Sequence, residues 1–106
     1  MFGRHVTMQL KANSVEELPR IIEKEVLPLL RRQKGLCDEI SFVNPERLLA
    51  VSISLWDTRE DAEAFNLTGY PEVLKTLAKV LVGTPTVATF ETVTSTFHKA
   101  AAAKAA

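Results

Sequence analysis

The order in which two residue periodicities alternate along the chain constrains its fold most. Apolar residues recur at every second position in some segments, which is typical of half-buried strands. In other segments they recur at every third or fourth position, which is typical of helices that face a core. The predicted elements are strands at 4–11, 36–43, 47–56 and 86–97 and helices at 14–34 and 58–82. Right-handed crossovers make this βαββαβ order a ferredoxin-like α+β fold with an antiparallel sheet.

Local signals define the ends of these elements. Ser14 and Glu17 have the spacing of a capping box, and Thr58 with Asp61 forms a second capping pair. Pro28 falls inside the first helix and predicts a kink there. Gly35 is expected to end that helix, and the turn residues Asn44-Pro45-Glu46 join strands two and three into a hairpin. These signals predict a single domain over 1–97, followed by an Ala/Lys-rich tail over 98–106.

Charge and composition narrow the class of protein. The chain carries 13 basic and 13 acidic residues, so it lacks the basic excess that nucleic-acid binders use against phosphates. No apolar stretch approaches the length of a membrane span, and the N-terminal residues turn polar too early for a secretory signal. Cys37 is the single cysteine, which rules out an internal disulfide. We therefore expect a cytoplasmic protein with no nucleic-acid or membrane partner.

The second face of the predicted sheet is poor in charge. The residues expected on it, among Ser and Thr, are Leu48, Ala50, Trp56, Ala88 and Phe90. A large exposed apolar face on a soluble domain is typical of a protein–protein interface. The sequence thus predicts a homodimer, with a solvated Thr-rich face as the alternative.

Few residues offer acid–base or nucleophilic chemistry. His5 is the candidate catalytic base toward a phenolic substrate, although a plain strand position is the alternative. His98 lies in the tail, where a solvated role is expected. Cys37 has no CxxC partner and is expected to be a small buried side chain. The spacing of His, Cys, Asp and Glu predicts no metal site, and four scattered glycines predict no phosphate cradle and no cofactor.

The best candidate binding cluster lies between strand three and the second helix. Trp56 closes the strand, and it is either a wall for a flat aromatic ligand or a packing anchor. Tyr70 lies in the Gly-Tyr-Pro interruption of the helix, where it either donates a hydrogen bond to a ligand or acts as a hydrophobic plug over the core. Asn66 precedes Tyr70 by one turn and shares its helix face.

The string Leu55-Trp56-Asp57-Thr58-Arg59-Glu60-Asp61-Ala62, with Gly35-Leu36-Cys37 before it, resembles the antibiotic biosynthesis monooxygenase-like family. That resemblance implies a dimeric α/β barrel over most of the domain. The family includes cofactor-independent oxygenases, heme degraders and proteins without known activity. The Asn, Trp and His that its heme degraders use correspond to Val6, Phe65 and Lys75 here, which excludes heme degradation. Asn66 replaces a helix His of many other members and cannot shuttle protons at neutral pH.

Two functions stay open at this point. The resemblance implies a cofactor-independent monooxygenase, an oxidoreductase that acts on a small aromatic or quinol substrate. Such an enzyme needs a dry pocket, orientation and a base. The alternative is a non-catalytic dimer that binds a small ligand or stabilises a partner. The missing helix His favours this alternative.

Overall fold

The computed structural model describes residues 1–96 and shows the predicted strand order. The strands are β1 (Phe2–Gln9), β2 (Leu36–Asn44), β3 (Leu49–Trp56) and β4 (Thr86–Glu91). They form one antiparallel sheet in the order β2-β3-β1-β4. The two crossovers between β1 and β2 and between β3 and β4 are helical, so the α+β ferredoxin-like fold is confirmed.

The helices pack against one face of this sheet. They are α1 (Glu17–Ile21), a π-helical segment (Ile22–Val26), α2 (Leu27–Arg31), α3 (Arg59–Thr68) and α4 (Tyr70–Leu77). Their apolar sides and alternate positions of β1 and β3 form a single core cluster. Leu10, Leu18, Trp56 and Val80 are its most deeply buried large side chains.

The first helix begins differently from the prediction. It starts at Glu17, and no side-chain hydrogen bond caps it, so the Ser14–Glu17 capping box is wrong. Backbone bonding from Leu18 N–H to the Ser14 carbonyl closes that turn instead. The predicted irregularity near Pro28 takes the form of the π-helical segment just before it. There Leu27 N–H donates a hydrogen bond to the Ile22 carbonyl. The wider turn tolerates the absence of a backbone N–H donor at Pro28.

The second helix begins as predicted. Thr58 is the N-cap residue, and its Oγ1 accepts a hydrogen bond of 3.1 Å from Asp61 N–H. Pro71 lies in the first turn of α4, where its missing donor costs little. Gly35 adopts a φ of +83°, in the left-handed region that favours glycine, in the turn that follows α2.

The assignment of β3 residues to the two sheet faces was wrong. Ala50 and Trp56 were expected on the second face, but they are 1% and 0% exposed and belong to the core. Leu48 packs partly against the same core. The strand pairing places the other phase of β3, with Val51, Ile53 and Leu55, on the face without helices. Ala88 and Phe90 lie on that face as predicted.

The last strand is shorter than predicted. β4 ends at Glu91, whereas the sequence pattern extends to Phe97. The end of the predicted domain at 97, the tail over 98–106 and His98 lie outside the described residues.

Thr58→Ala should lower the free energy of unfolding by about 1 kcal/mol, because it leaves the Asp61 amide without its cap. Ser14→Ala is the matched comparison and should lower it less, because Ser14 provides no side-chain cap bond. Urea denaturation of both variants measures the difference. Equal losses would show that Ser14 does cap the first helix.

Candidate functional site

An internal cavity of about 50 Å³ lies between the sheet and the helices. One end of its wall is polar and the rest is apolar. The polar side chains are Arg4 of β1, Glu39 of β2, Ser52 and Ser54 of β3, and Tyr70 of α4. The apolar wall comes from all the helical segments except α1 and from β1, and includes Val6, Met8, Ile22, Val26, Leu30, Phe65, Val73 and Leu77. The cavity is thus a small apolar chamber with one charged end.

Arg4 is the charged group at the polar end. It follows the same phase of β1 as Val6 and Met8, so its side chain points under the helices and is only 3% exposed. The guanidinium lies 4.0 Å from the Tyr70 ring centroid and 5.2 Å from that of Phe65, within the range of cation–π attraction. Burial lowers the pKa of Arg4. Arginine nevertheless stays protonated in proteins, so the group is a buried cation.

Asn66 and Tyr70 lie beside this guanidinium, as their shared helix face predicted. Asn66 Oδ1 accepts a hydrogen bond of 2.9 Å from Arg4 Nη2. The Tyr70 ring stacks under the guanidinium, and its buried Oη has no hydrogen-bond partner among residues 1–96. Burial raises the pKa of Tyr70, while the Arg4 charge opposes that shift. Tyr70 is therefore a neutral phenol with an unused donor.

Trp56 lies behind this cluster. It is fully buried, stacks on Phe65 with ring centroids 5.1 Å apart, and donates from Nε1 to Ser54 Oγ at 2.9 Å. It is not among the residues that line the cavity. This position favours the role of packing anchor over that of a wall for a ligand.

His5 lies on the opposite face of the sheet. It pairs with Ile53 and Ala88 and meets the Phe90 ring edge-on, with centroids 6.4 Å apart. The sheet therefore separates it from Tyr70, which lines the cavity, and from Asn66, which contacts Arg4 but is not among the lining residues. The cavity beneath the helices of the same protomer therefore gives no support to the predicted role of His5 as a base.

Arg4 and Glu39 were not selected from the sequence. For Arg4 a signal existed, because it is a charged residue in the apolar phase of a half-buried strand. Glu39 is the carboxylate that lines the cavity, and Ser41 Oγ donates a short hydrogen bond to its Oε1. Its position became evident only from the pairing of β2 with β3.

Cys37 lies outside the cavity, near the start of β2. Its Sγ donates a hydrogen bond to Asp57 Oδ1 at 3.2 Å. Burial first, and then the Asp57 carboxylate, raise the pKa of the Cys37 thiol to about 11. A thiol of this kind is a poor nucleophile at neutral pH, because only the thiolate attacks.

Cys37 should react slowly with thiol reagents in the native protein. At pH 8 a pKa of about 11 leaves roughly a thousandth of the thiol ionised. Asp57→Asn removes the negative charge, lowers the pKa and should accelerate modification by iodoacetamide several-fold. Asp38→Asn is the matched control with a smaller effect, since the Asp38 contribution ranks below that of Asp57. A native rate at pH 8 equal to that of the unfolded chain would contradict the raised pKa.

Neither a metal cluster nor a membrane-spanning helix occurs in the part of the chain that the structure describes. Within residues 1–96, no three His, Cys, Asp or Glu side chains are placed to hold a metal ion. Over the same residues, no helix has the length and hydropathy required to cross a bilayer.

Solved structures share this fold over nearly the whole chain. A protein of unknown function from Nitrosomonas europaea superposes with a TM-score of 0.76 at 14% identity, over 92% of this chain and 93% of its own. An antibiotic biosynthesis monooxygenase gives 0.68 at 14% identity, over 89% and 100%. A monooxygenase from Streptomyces coelicolor, in complex with Nanaomycin D, gives 0.71 at 16% identity over 84% of each chain. No family model and no curated protein matches the sequence.

The fold is therefore that of the small α+β monooxygenase-like proteins. More specifically, it is the antibiotic biosynthesis monooxygenase-like fold that the sequence resemblance indicated. At 14–16% identity this likeness defines the architecture and leaves activity and substrate to the site.

Proposed function

We propose that this protein is a homodimer that binds a small molecule in the cavity beneath its helices. The observation that carries the ligand site is the polar end of that cavity, where a buried guanidinium and a buried, unpartnered phenol face an apolar chamber. Apolar clefts with a few convergent polar groups are the usual form of a small-molecule site. The Streptomyces coelicolor monooxygenase of the same fold also holds a small molecule.

The homodimer rests on the open face of the sheet, which we define as the strand positions that point away from the helices. Its apolar residues are Ile40, Phe42, Leu49, Val51, Ile53, Leu55, Ala88 and Phe90. Ile40, Phe42 and Phe90 are 52%, 54% and 59% exposed in the single chain. The titratable side chains at these strand positions are His5 and Asp38. An apolar face this large is covered in stable proteins, and a second copy related by a two-fold axis would cover it with the same residues.

The cavity volume limits the size of the ligand. A cavity of roughly 150 Å³ accepts benzene in a well-studied engineered protein. The present cavity of about 50 Å³ is a third of that size. A bicyclic ring system does not fit without movement of the helices, so the chamber suits a ligand of a few non-hydrogen atoms.

Fragment screening by protein-observed NMR tests the ligand site. We expect hits that shift the amide signals of Val73, Leu74 and Leu77, which line the cavity. Val26→Phe fills the chamber from the π-helical segment and should abolish these hits. Val82→Phe, at a position 54% exposed and outside the lining, is the matched control and should keep them. Hits that survive Val26→Phe, or none at the cavity, would contradict the proposal.

A cofactor-independent monooxygenase is the second candidate function. Its support is that a buried cation, Arg4, and a carboxylate, Glu39, line the same largely apolar chamber. Glu39 would take a proton from a phenol, and Arg4 would stabilise the resulting anion. The anion would then reduce dioxygen, so that a phenol and one O₂ give a quinone and one water.

Oxygen uptake with a dihydroxynaphthalene tests this second candidate. The small cavity would have to widen to admit such a substrate. We expect quinone formation that requires oxygen and is lost in Glu39→Gln. Identical rates under air and under argon, or an unchanged rate in Glu39→Gln, would rule out this function.

A further inference from the structure

We infer that the cavity selects a small carboxylate, held by Arg4 and Tyr70. This inference rests on the cavity being the ligand site and adds the charge and the size of what it binds. It follows from the unpaired charge of Arg4, from the unused donor of Tyr70 and from the volume beside them.

The charge of Arg4 is not balanced within the described chain. Arg4 is only 3% exposed, yet no carboxylate of residues 1–96 forms an ion pair with it. Its hydrogen-bond acceptor, Asn66 Oδ1, is neutral, and the flanking rings of Tyr70 and Phe65 offer only cation–π attraction. A buried charge without a counter-charge costs free energy. An anion that enters the cavity would remove that cost, and a neutral ligand would not.

The polar end of the cavity offers donors of a kind that suits a carboxylate. A guanidinium presents its N–H groups as a planar fork that fits the two oxygens of a carboxylate. Arg4 Nη2 donates to Asn66 Oδ1. Tyr70 Oη lies buried beside it without a partner and can donate a further bond. A carboxylate at this end would therefore balance the charge of Arg4 and accept a hydrogen bond from Tyr70 Oη, which has no partner among residues 1–96.

The remaining wall sets the size and polarity of the rest of the ligand. Beyond Arg4 and Tyr70 the chamber is lined by Val6, Ile22, Val26 and Val73, which offer no hydrogen bonds from their side chains. A volume of about 50 Å³ favours a carboxylate with a short alkyl group over an aromatic acid. Glu39, on the β2 side of the chamber, also disfavours a dianion. Short-chain monocarboxylates are the class that fits.

Titration with propionate and with propionamide, its neutral analogue of equal shape, tests the inference. The readout is protein-observed NMR at constant ionic strength, following the Arg4 Nε–H signal and the amides of Val73 and Leu77. We expect propionate to shift these signals and to bind at least about tenfold more tightly than propionamide, since charge-assisted bonds exceed neutral ones. Arg4→Met should abolish the preference.

Two further variants keep the test decisive if Arg4→Met does not fold. Tyr70→Phe removes one donor and should weaken propionate about fivefold. Arg59→Met, at an exposed arginine paired with Glu91, is the matched control and should bind propionate as the wild type does.

The outcomes separate this inference from the proposed ligand site. Equal binding of propionate and propionamide at the cavity would overturn the selection for a carboxylate and leave the cavity as a ligand site. Propionate shifts confined to the surface, or equal affinity in Tyr70→Phe and wild type, would likewise overturn the inference. Fragment hits at the cavity would still support the site in those cases.

Discussion

Replacing Ile53 with glutamate should convert the proposed dimer into a monomer. Ile53 lies on an inner strand, between His5 of β1 and Ile40 of β2, at the centre of the open face. A two-fold axis would bury two new carboxylates in one apolar interface, and each buried, unpaired charge costs several kcal/mol. We expect the dissociation constant to rise at least about a thousandfold, which corresponds to roughly 4 kcal/mol. Sedimentation velocity at micromolar concentration would show the change in mass.

Leu67→Glu is the control for this substitution. Leu67 is 77% exposed on α3, so the Leu67→Glu substitution adds the same charge outside the open face. It should leave the assembly unchanged. Two results would contradict the proposed interface: a wild-type protein that sediments as a monomer, or an Ile53→Glu variant that stays dimeric. A monomeric variant that keeps its native circular dichroism would show that the effect lies in assembly and not in folding.

The error in the faces of β3 has a physical cause. Both phases of this strand are largely apolar, and Leu49, Val51, Ile53 and Leu55 form the more hydrophobic one. Hydropathy therefore directs that phase to the core. The helix-covered phase instead contains Ser52 and Ser54, which line the polar end of the cavity, and the more apolar phase lies on the open face. The sequence indicated how many strands there are, but not which face the helices cover.

The candidate site divides in the same way between local and long-range information. Asn66 and Tyr70 were placed together by helical spacing, which is local and readable from the sequence. The hydrogen bond between Arg4 and Asn66 joins residues 62 positions apart in the sequence, so it depends on how α3 packs over β1. Strand alternation also predicts that His5 points away from Val6 and Met8. Whether His5 faces the cavity, however, depends on which side of the sheet the helices cover.

Trp56→Ala should destabilise the protein more than any of the other substitutions. Trp56 is fully buried, stacks on Phe65 and donates a hydrogen bond to Ser54. Truncation of a buried tryptophan costs about 3–5 kcal/mol, a large part of the roughly 5–15 kcal/mol that holds a domain together. For a chain of this length the melting temperature should fall by roughly 15 °C or more. Urea and thermal unfolding, followed by circular dichroism, measure both quantities.

The same variant decides between the two predicted roles of Trp56. A packing anchor predicts a large loss of stability, with Trp56→Phe retaining much of it because the ring still stacks on Phe65. A ligand wall predicts near-native stability together with lost ligand binding. Leu67→Ala, at an exposed position, should stay within about 0.5 kcal/mol of wild type and calibrates the comparison.

Loss of the Trp56 ring should also loosen the charged end of the cavity, because Trp56 supports Phe65 and Phe65 lies against the Arg4 guanidinium. Weaker propionate binding by Trp56→Ala, restored in Trp56→Phe, would identify this as support through packing.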